Sequence, residues 1–446
     1  MRKITGVLVG VLVCATTVLA QAQDHVIYVP RTEDAVLKEM EQVRKDAAKA
    51  AEEATQKILD QQEEAKKARK DAKKRLRFDL SKIVRPESPE AFENRVWFSP
   101  PVPQYYTGSC WSFSATSFLE SEIHRQTGQE IKLSEMWTVY WEYVNKARGF
   151  VHSRGETIFE EGSESAAAMR VLKEHGTAPR SVYEGVLAED GRFDHVLMHR
   201  RMLDFLSWCK DENYWDEDFI ISTIRSIMDQ TMGRAPESFE WQGRMMRPAD
   251  FRDEICQLNP EEYVSLMSTL SQPFWYRGEY TVPDNWWHDA SYINLPLEDW
   301  YQAIVGAIDQ GYSMVIGGDV SEPGLNGEED IAVIPSFDIP GDAIDQDARE
   351  FRFDNGTSDD DHGIHLVGHT RVGGHDWFLI KDSNRSSRHG TFKGHYMYRD
   401  DFVRLKMLTF TVHRDVVKDI LKKVLETEKK AAEEKAREAE KKDPAK

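Results

Sequence analysis

Cysteine is scarce in this 446-residue chain: there are four, Cys14, Cys110, Cys209 and Cys256. Positive charge is in deficit as well. Lysine and arginine number 58 against 77 aspartates and glutamates, a formal net charge of -19. Such a field repels polyanions and argues against a nucleic-acid partner, and no basic patch offsets it away from the mixed-charge ends. Long apolar runs are also missing. The one run, residues 4–20, follows Arg2 and Lys3 and precedes Ala20-Gln21-Ala22. It is too short and wrongly flanked for a membrane span. It reads as a signal peptide over residues 1–22, cut at the small residues. A periplasmic or secreted protein with no stable membrane span after cleavage is therefore expected. Cleavage removes Cys14 and leaves three cysteines. An odd number in an oxidising compartment requires a free thiol or an intermolecular bond. Cys209 and Cys256 are candidates to pair, leaving Cys110 as the free thiol.

What is present falls into three stretches after the leader. Residues 23–95 hold a charged arm and a proline-rich linker. Val36, Met40, Val43, Ala47, Ala50 and Ala54 recur at helical spacing, with Thr32 as N-cap candidate. The stripe is mostly alanine, so little surface is buried. Pro86, Pro89, Pro100, Pro101 and Pro103 end the arm and open an extended segment. The body, residues 96–414, begins with helices over 112–125, 133–146 and 166–175, the last closed by Gly176. Residues 190 to 300 carry many tryptophans and acids without a clean period and are expected to form an irregular, partly helical insertion. Short apolar runs at 364–367, 377–380 and 407–412 follow, separated by Gly368, Gly373 and Gly374, and read as antiparallel strands. Helices first and strands later give an α+β fold. Residues 415–446 form a second charged helix, with an apolar stripe of Val417, Ile420 or Leu421, and Val424.

Chemistry concentrates in three segments. In Gln104-Tyr105-Tyr106-Thr107-Gly108-Ser109-Cys110-Trp111 a cysteine opens a helix, where the dipole favours thiolate. Gly108 permits a tight turn ahead of it. Gln104 can bring its amide to an oxyanion together with the Cys110 backbone N–H. A general base is offered in Asp361-His362-Gly363-Ile364-His365-Leu366-Val367-Gly368-His369. Three histidines at spacings of three and four suggest a metal, but glycines and β-branched residues indicate a strand. There His362 and His365 point to opposite faces, which argues against zinc. In Trp377-Phe378-Leu379-Ile380-Lys381-Asp382-Ser383-Asn384 an apolar strand ends in polar side chains able to orient an imidazole. Asp382 and Asn384 face the same side of an extended chain, so either serves.

Together these segments resemble the papain family, whose Gln lies six residues before a Gly-Ser-Cys-Trp cysteine, as Gln104 does before Cys110. The family's histidine has a glycine six residues on, matched by His362 and Gly368. Further segments resemble the bleomycin hydrolase and aminopeptidase C branch. They are Leu133-Ser134-Glu135 with Tyr140-Trp141-Glu142-Tyr143-Val144, the run from Glu174 to Tyr183, Asn294-Leu295-Pro296-Leu297, Gly317-Gly318-Asp319-Val320, and Gly394-His395-Tyr396 with Asp400-Asp401-Phe402. The likeness runs in order over residues 103–412.

The resemblance implies a papain-like α+β fold, with a helical half carrying Cys110 and a strand-rich half carrying His362. It implies a cysteine peptidase that acts on peptide substrates without metal or organic cofactor. Its site would be Cys110, His362, Gln104 and Asp382, with Asn384 as the alternative third member. Aminopeptidase activity and a homo-oligomer, a hexamer in the branch, are implied too. Departures are equally specific. Asp382 stands where the family has Asn, and Asn384-Arg385 stand where it has Trp-Gly. The charged helix past Arg414 continues where the branch's chain end lies in the cleft and limits cleavage to N-termini. An endopeptidase, or an inactive homologue kept for binding, are the competing expectations. Asp359-Asp360-Asp361 beside His362 is particular to this chain. It could attract a substrate's ammonium or basic side chain, or be a solvated turn.

Overall fold

The structure is a computed structural model and describes residues 26–74 and 79–442; the expected leader and Cys14 lie outside the described residues. Residues 1–76 and 77–446 separate into two compact units.

Among its described residues the first unit holds one helix, α1 (Ala35–Asp71), with no buried residue. Its cap is Asp34, not Thr32: the Asp34 carboxylate accepts from Val36 N at 2.8 Å and Leu37 N at 3.2 Å. A carboxylate one residue before the first turn satisfies those free N–H groups and also favours the dipole.

The second unit begins ahead of position 96, because β1 (Asn94–Arg95) already pairs with the main sheet. Its helical half comprises α2 (Cys110–Thr127), α3 (Glu135–His152), α4 (Ser165–His175), α5 (Val196–Asp211) and α6 (Glu217–Met232). A hairpin of β2 (Phe239–Trp241) and β3 (Arg244–Met246) follows, then the short turn α7 (Pro248–Asp250) and a π-helical segment, Phe251–Cys256. The insertion between 190 and 300 is more regular than expected. Met198, Met202, Leu206 and Cys209 line one face of α5, and Ile220, Ile224, Met228 and Met232 line one face of α6. Both stripes enter the core shared by α2, α3 and α4. Cys209 and Cys256 sit in that core as free buried thiols, so the expected pairing is not formed. Burial raises both thiols, which suits inert packing groups.

The strand half contains β4 (Tyr263–Met267), β5 (Tyr276–Gly278), β6 (Tyr292–Asn294), α8 (Leu297–Asp309), β7 (Met314–Gly318), β8 (Leu325–Asn326), β9 (Ile331–Ala332), α9 (Gln346–Asp354), β10 (His362–Val372), β11 (His375–Lys381), β12 (His395–Arg399), α10 (Asp400–Lys406) and β13 (Met407–His413). Among the described residues these strands and β1 make one mixed sheet, ordered β5-β6-β4-β13-β7-β10-β11-β12-β9-β8, with β1 on β10. Gly373 and Gly374 take positive φ, 64° and 87°, and close the β10–β11 hairpin. Alternation along β10 separates two cores. Ile364 and Leu366 enter the core under α8, while His365, on the other face, meets Ser117 of α2 at 2.7 Å.

The C-terminal helix α11 (Lys418–Lys442) is anchored at its start. Leu421 and Val424, with Val417 before them, are buried against the sheet core. Lys423 lies over the Trp275 ring, just before β5, and Arg277 of β5 pairs with Glu428. This buried stripe on one helical face is what the sequence pattern foretold.

One buried ion pair joins the end of α10 to the segment after β7. Lys406 Nζ lies 2.9 Å from Asp319 Oδ2, 3.3 Å from Glu322 Oε2 and 2.7 Å from Thr357 O. Lys406 and Asp319 are both buried. Removing one partner leaves an uncompensated charge in the interior, so Lys406→Met should cost about 3–5 kcal/mol. Urea unfolding measures it, and the double variant Lys406→Met/Asp319→Asn should recover much of the loss.

Candidate active site

Helix α2 places Cys110 as its first residue, with Ser109 as N-cap. Residues 111–123 are all buried, although many are polar. Small hydroxyls let them stay there, since Ser112 Oγ donates to Glu135 O at 2.7 Å and Ser114 Oγ to Cys110 O at 2.9 Å. Glu120 is buried too and accepts from Lys132 Nζ at 2.7 Å and Leu133 N at 3.0 Å. Cys110 itself is half-buried, the most accessible of the three cysteines described.

The loop ahead of the helix is held from three sides. Gln104 N donates to Ser383 O at 3.0 Å, and Ser383 Oγ donates to Gln104 Oε1 at 2.7 Å. Gln104 Nε2 donates to Thr107 O at 2.7 Å, which leaves its second N–H free for a ligand. Gly108 N donates to Glu161 Oε2 at 2.6 Å, and a Cβ on Gly108 would meet Glu161 Cβ at 2.7 Å. Trp111 Nε1 donates to Glu161 O at 3.2 Å, and Tyr143 Oη to Glu161 Oε1 at 3.3 Å. Glu161 thus fixes the loop before Cys110. Sequence reasoning missed it; a carboxylate beside a glycine in the Glu160-Glu161-Gly162 turn was the only signal.

His362 opens β10 and is buried, as is Asp382 just past β11. His362 Nε2 lies 3.0 Å from Asp382 Oδ1. Cys110 lies beside the imidazole in the same pocket, and Nδ1 is the ring nitrogen that Asp382 leaves free. Burial opposes a charged imidazole, but Asp382 and the neighbouring Cys110 overcome this and raise His362 well above its ordinary value. The imidazole is therefore favoured in its charged form. Asp382 Oδ1 also accepts from Asn384 N at 2.6 Å. The Asn384 side chain is engaged elsewhere, accepting from Ser386 N at 3.2 Å as the cap of a 3-10 turn. Of the two candidates, Asp382 contacts the imidazole. The pair is shielded from water although Asn384 and Arg385 replace the family's Trp-Gly.

Cys110, Gln104 and His362 line one pocket of about 250 Å³, together with Asn384, Glu164 and Asp360. No described residue of α11 is among its walls. The other histidines of β10 are apart from this pocket. His365 stacks edge-on against Phe118, and His369 Nδ1 meets Asp309 Oδ1 at 2.7 Å. Among the described residues no group of three metal-binding side chains gathers.

No protein-family model and no curated protein sequence matches the chain. Solved structures do. PepW from Lactobacillus rhamnosis HN001 superposes with a TM-score of 0.60 at 17% identity, over 76% of this chain and 85% of that one. Digestive procathepsin L 3 of Tenebrio molitor larval midgut aligns at 14% identity over 75% and 72%, with a TM-score of 0.33. The helical half with Cys110, the sheet with His362 and the likeness to PepW together make this an α+β chain with the papain-like peptidase fold.

Proposed function

We propose that the protein is a cysteine peptidase. The observation that carries this is Cys110, at a helix N-terminus, sharing one pocket with His362, whose Nε2 lies 3.0 Å from Asp382 Oδ1. In this reading the thiolate attacks the scissile carbonyl carbon, and the carbonyl oxygen takes negative charge. The Cys110 backbone N–H and the free Gln104 Nε2 hydrogen receive that charge. Imidazolium His362 gives its proton to the leaving amine, and the acyl group stays on sulfur. Neutral His362 then takes one proton from water, whose oxygen attacks the thioester; the thiolate leaves, and the carboxylic acid product gives its remaining proton to solvent. Asp382 orients the ring and supports its charge. Labelling Cys110 with an epoxysuccinyl inhibitor, read by mass spectrometry, tests the pair. Modification that vanishes in His362→Ala supports it; equal modification there rejects it.

Within this class our reading is an aminopeptidase of bleomycin hydrolase type, exported by its leader to the periplasm or beyond and assembled as a homo-oligomer, a hexamer by resemblance. The acidic wall of the pocket supports the first point, since an N-terminal ammonium suits it. A second reading, an endopeptidase, is favoured by the docking of α11 on the sheet instead of in the cleft. Free and N-acetylated versions of one peptide separate them: an aminopeptidase cleaves only the free amine.

The electrostatics predict a pH effect. Activity needs imidazolium His362, so its alkaline limb follows loss of that proton. Asp382→Asn removes the carboxylate charge and should move the alkaline limb of kcat/KM to lower pH. Stability follows the same sign. The His362 contribution is full below the unfolded value of about 6.5 and is lost as pH rises through the raised folded value. In Asp382→Asn that loss should begin at lower pH. A shift to higher pH would reject the assignment.

A further inference from the structure

The pocket beside Cys110 carries more negative charge than the peptidase chemistry requires. Asp360 and Asp361 reach it from the segment before β10, Asp284 from the segment before β6, and Glu164 from the start of α4. Glu164 is the informative one. It occupies the N-cap position of α4, yet its carboxylate makes no capping bond to that helix. It is only 4% exposed. Its Oε1 receives no hydrogen bond, and Oε2 receives only a long one of 3.4 Å, from Tyr292 Oη. The group it meets is another carboxylate, that of Asp360. Turning a cap away from its helix and burying it against a like charge destabilises the free protein.

The charges around both carboxyls are acidic: Asp284 near each, and Asp359 and Asp361 near Asp360. Burial with these neighbours pushes Asp360 up to about 6, and burial with Asp360 and Asp284 raises Glu164 well above the usual carboxylate range. Lys146, the cation that faces Asp284, spends its ammonium on Glu160 O and Gly162 O. A buried carboxyl meeting a half-buried one favours sharing a proton or receiving a cation from outside. The space next to them is open to the nucleophile and large enough for one long side chain.

We propose that this pocket binds a cationic nitrogen of the substrate, an ammonium or guanidinium, between Glu164 and Asp360. This rests on the peptidase reading for its source: the cation is the basic side chain, or the N-terminal ammonium, of the peptide being cleaved. Either donates N–H bonds to Glu164 Oε1 and replaces the shared proton.

Matched coumarin amides test it. One pair is N-acetylated, with arginine or its neutral isostere citrulline placed one and then two residues before the cleaved bond. The other has a neutral residue with a free or an acetylated N-terminus. At least one pair should show a kcat/KM ratio of about tenfold or more for the cationic member, as expected of a charge-assisted contact. The pair that shows it names the source. In Glu164→Gln the ratio should fall to near one, and Asp360→Asn serves if that variant does not fold. Ratios near one for wild-type protein in both pairs, or a ratio unchanged in the variants, overturn the proposal. A second readout needs no turnover. Argininamide or a neutral amino-acid amide with a free N-terminus should slow alkylation of Cys110 more than citrullinamide acetylated at its N-terminus. Selective protection without any cleavage would uphold the pocket and reject the peptidase; cleavage without charge preference would do the reverse, and neither would reject both.

Discussion

His362→Ala is expected to lower kcat/KM by at least about a thousandfold on any peptide the wild-type protein cleaves, and Cys110→Ala to leave only background. The size follows from the two roles of one ring. In the proposed mechanism the charge of His362 stabilises the attacking thiolate, and the ring later protonates the amine. Neither role has a substitute nearby, since His365 is across the sheet with Ser117 and His369 is engaged by Asp309. The two single variants should also fail to add, because each removes one half of the same Cys110–His362 pair. Steady-state kinetics on the single and double variants checks this. Cys110 is half-exposed, so its loss leaves no large cavity and should spare the fold. A Cys110→Ala protein that retains wild-type turnover would place the chemistry elsewhere.

The second large effect concerns Gln104. Gln104→Ala should lower kcat by about a hundred- to a thousandfold, the usual cost of losing one oxyanion donor, with little change in KM. The loop itself should survive, because Gln104 N still reaches Ser383 O. Two reagents separate this role from a structural one. Iodoacetamide alkylates the thiolate by displacement and forms no oxyanion, so Cys110 should react at the wild-type rate. Peptide hydrolysis, which does form one, should collapse. Equal loss of both would mean that the side chain merely supports the loop.

Much of this site was legible before the fold was known. The six-residue step from Gln104 to Cys110 and the strand patterns around His362 and Asp382 locate residues by local chemistry, and local chemistry is what a sequence records. The choice between Asp382 and Asn384 was not legible. It depends on which carboxamide or carboxylate a 3-10 turn consumes, and Ser386 N consumes Asn384. The caps show the same limit at α1, where Asp34 and Thr32 both satisfy the residue-type rule and only geometry selects. Helices α5 and α6 were readable in principle, since Ile220, Ile224, Met228 and Met232 repeat every four residues. Exposed aromatics such as Trp208 and Phe219 masked that stripe. The acidic pocket was half visible: Asp359-Asp360-Asp361 stood out as a run, but Glu164 and Asp284 lie far from it in the chain and join it only through folding.

Helix α2 carries one last consequence. The thirteen residues that follow the nucleophile are buried without interruption, so the amides behind Cys110 have no local route to solvent and should exchange hydrogen only when the whole unit opens. Motion near the thiol is then confined to the loop before it, where Glu161 and Ser383 act as tethers. Heating should therefore not detach activity from folding in stages. Inactivation and the appearance of Cys209 and Cys256 as reactive thiols should share one midpoint.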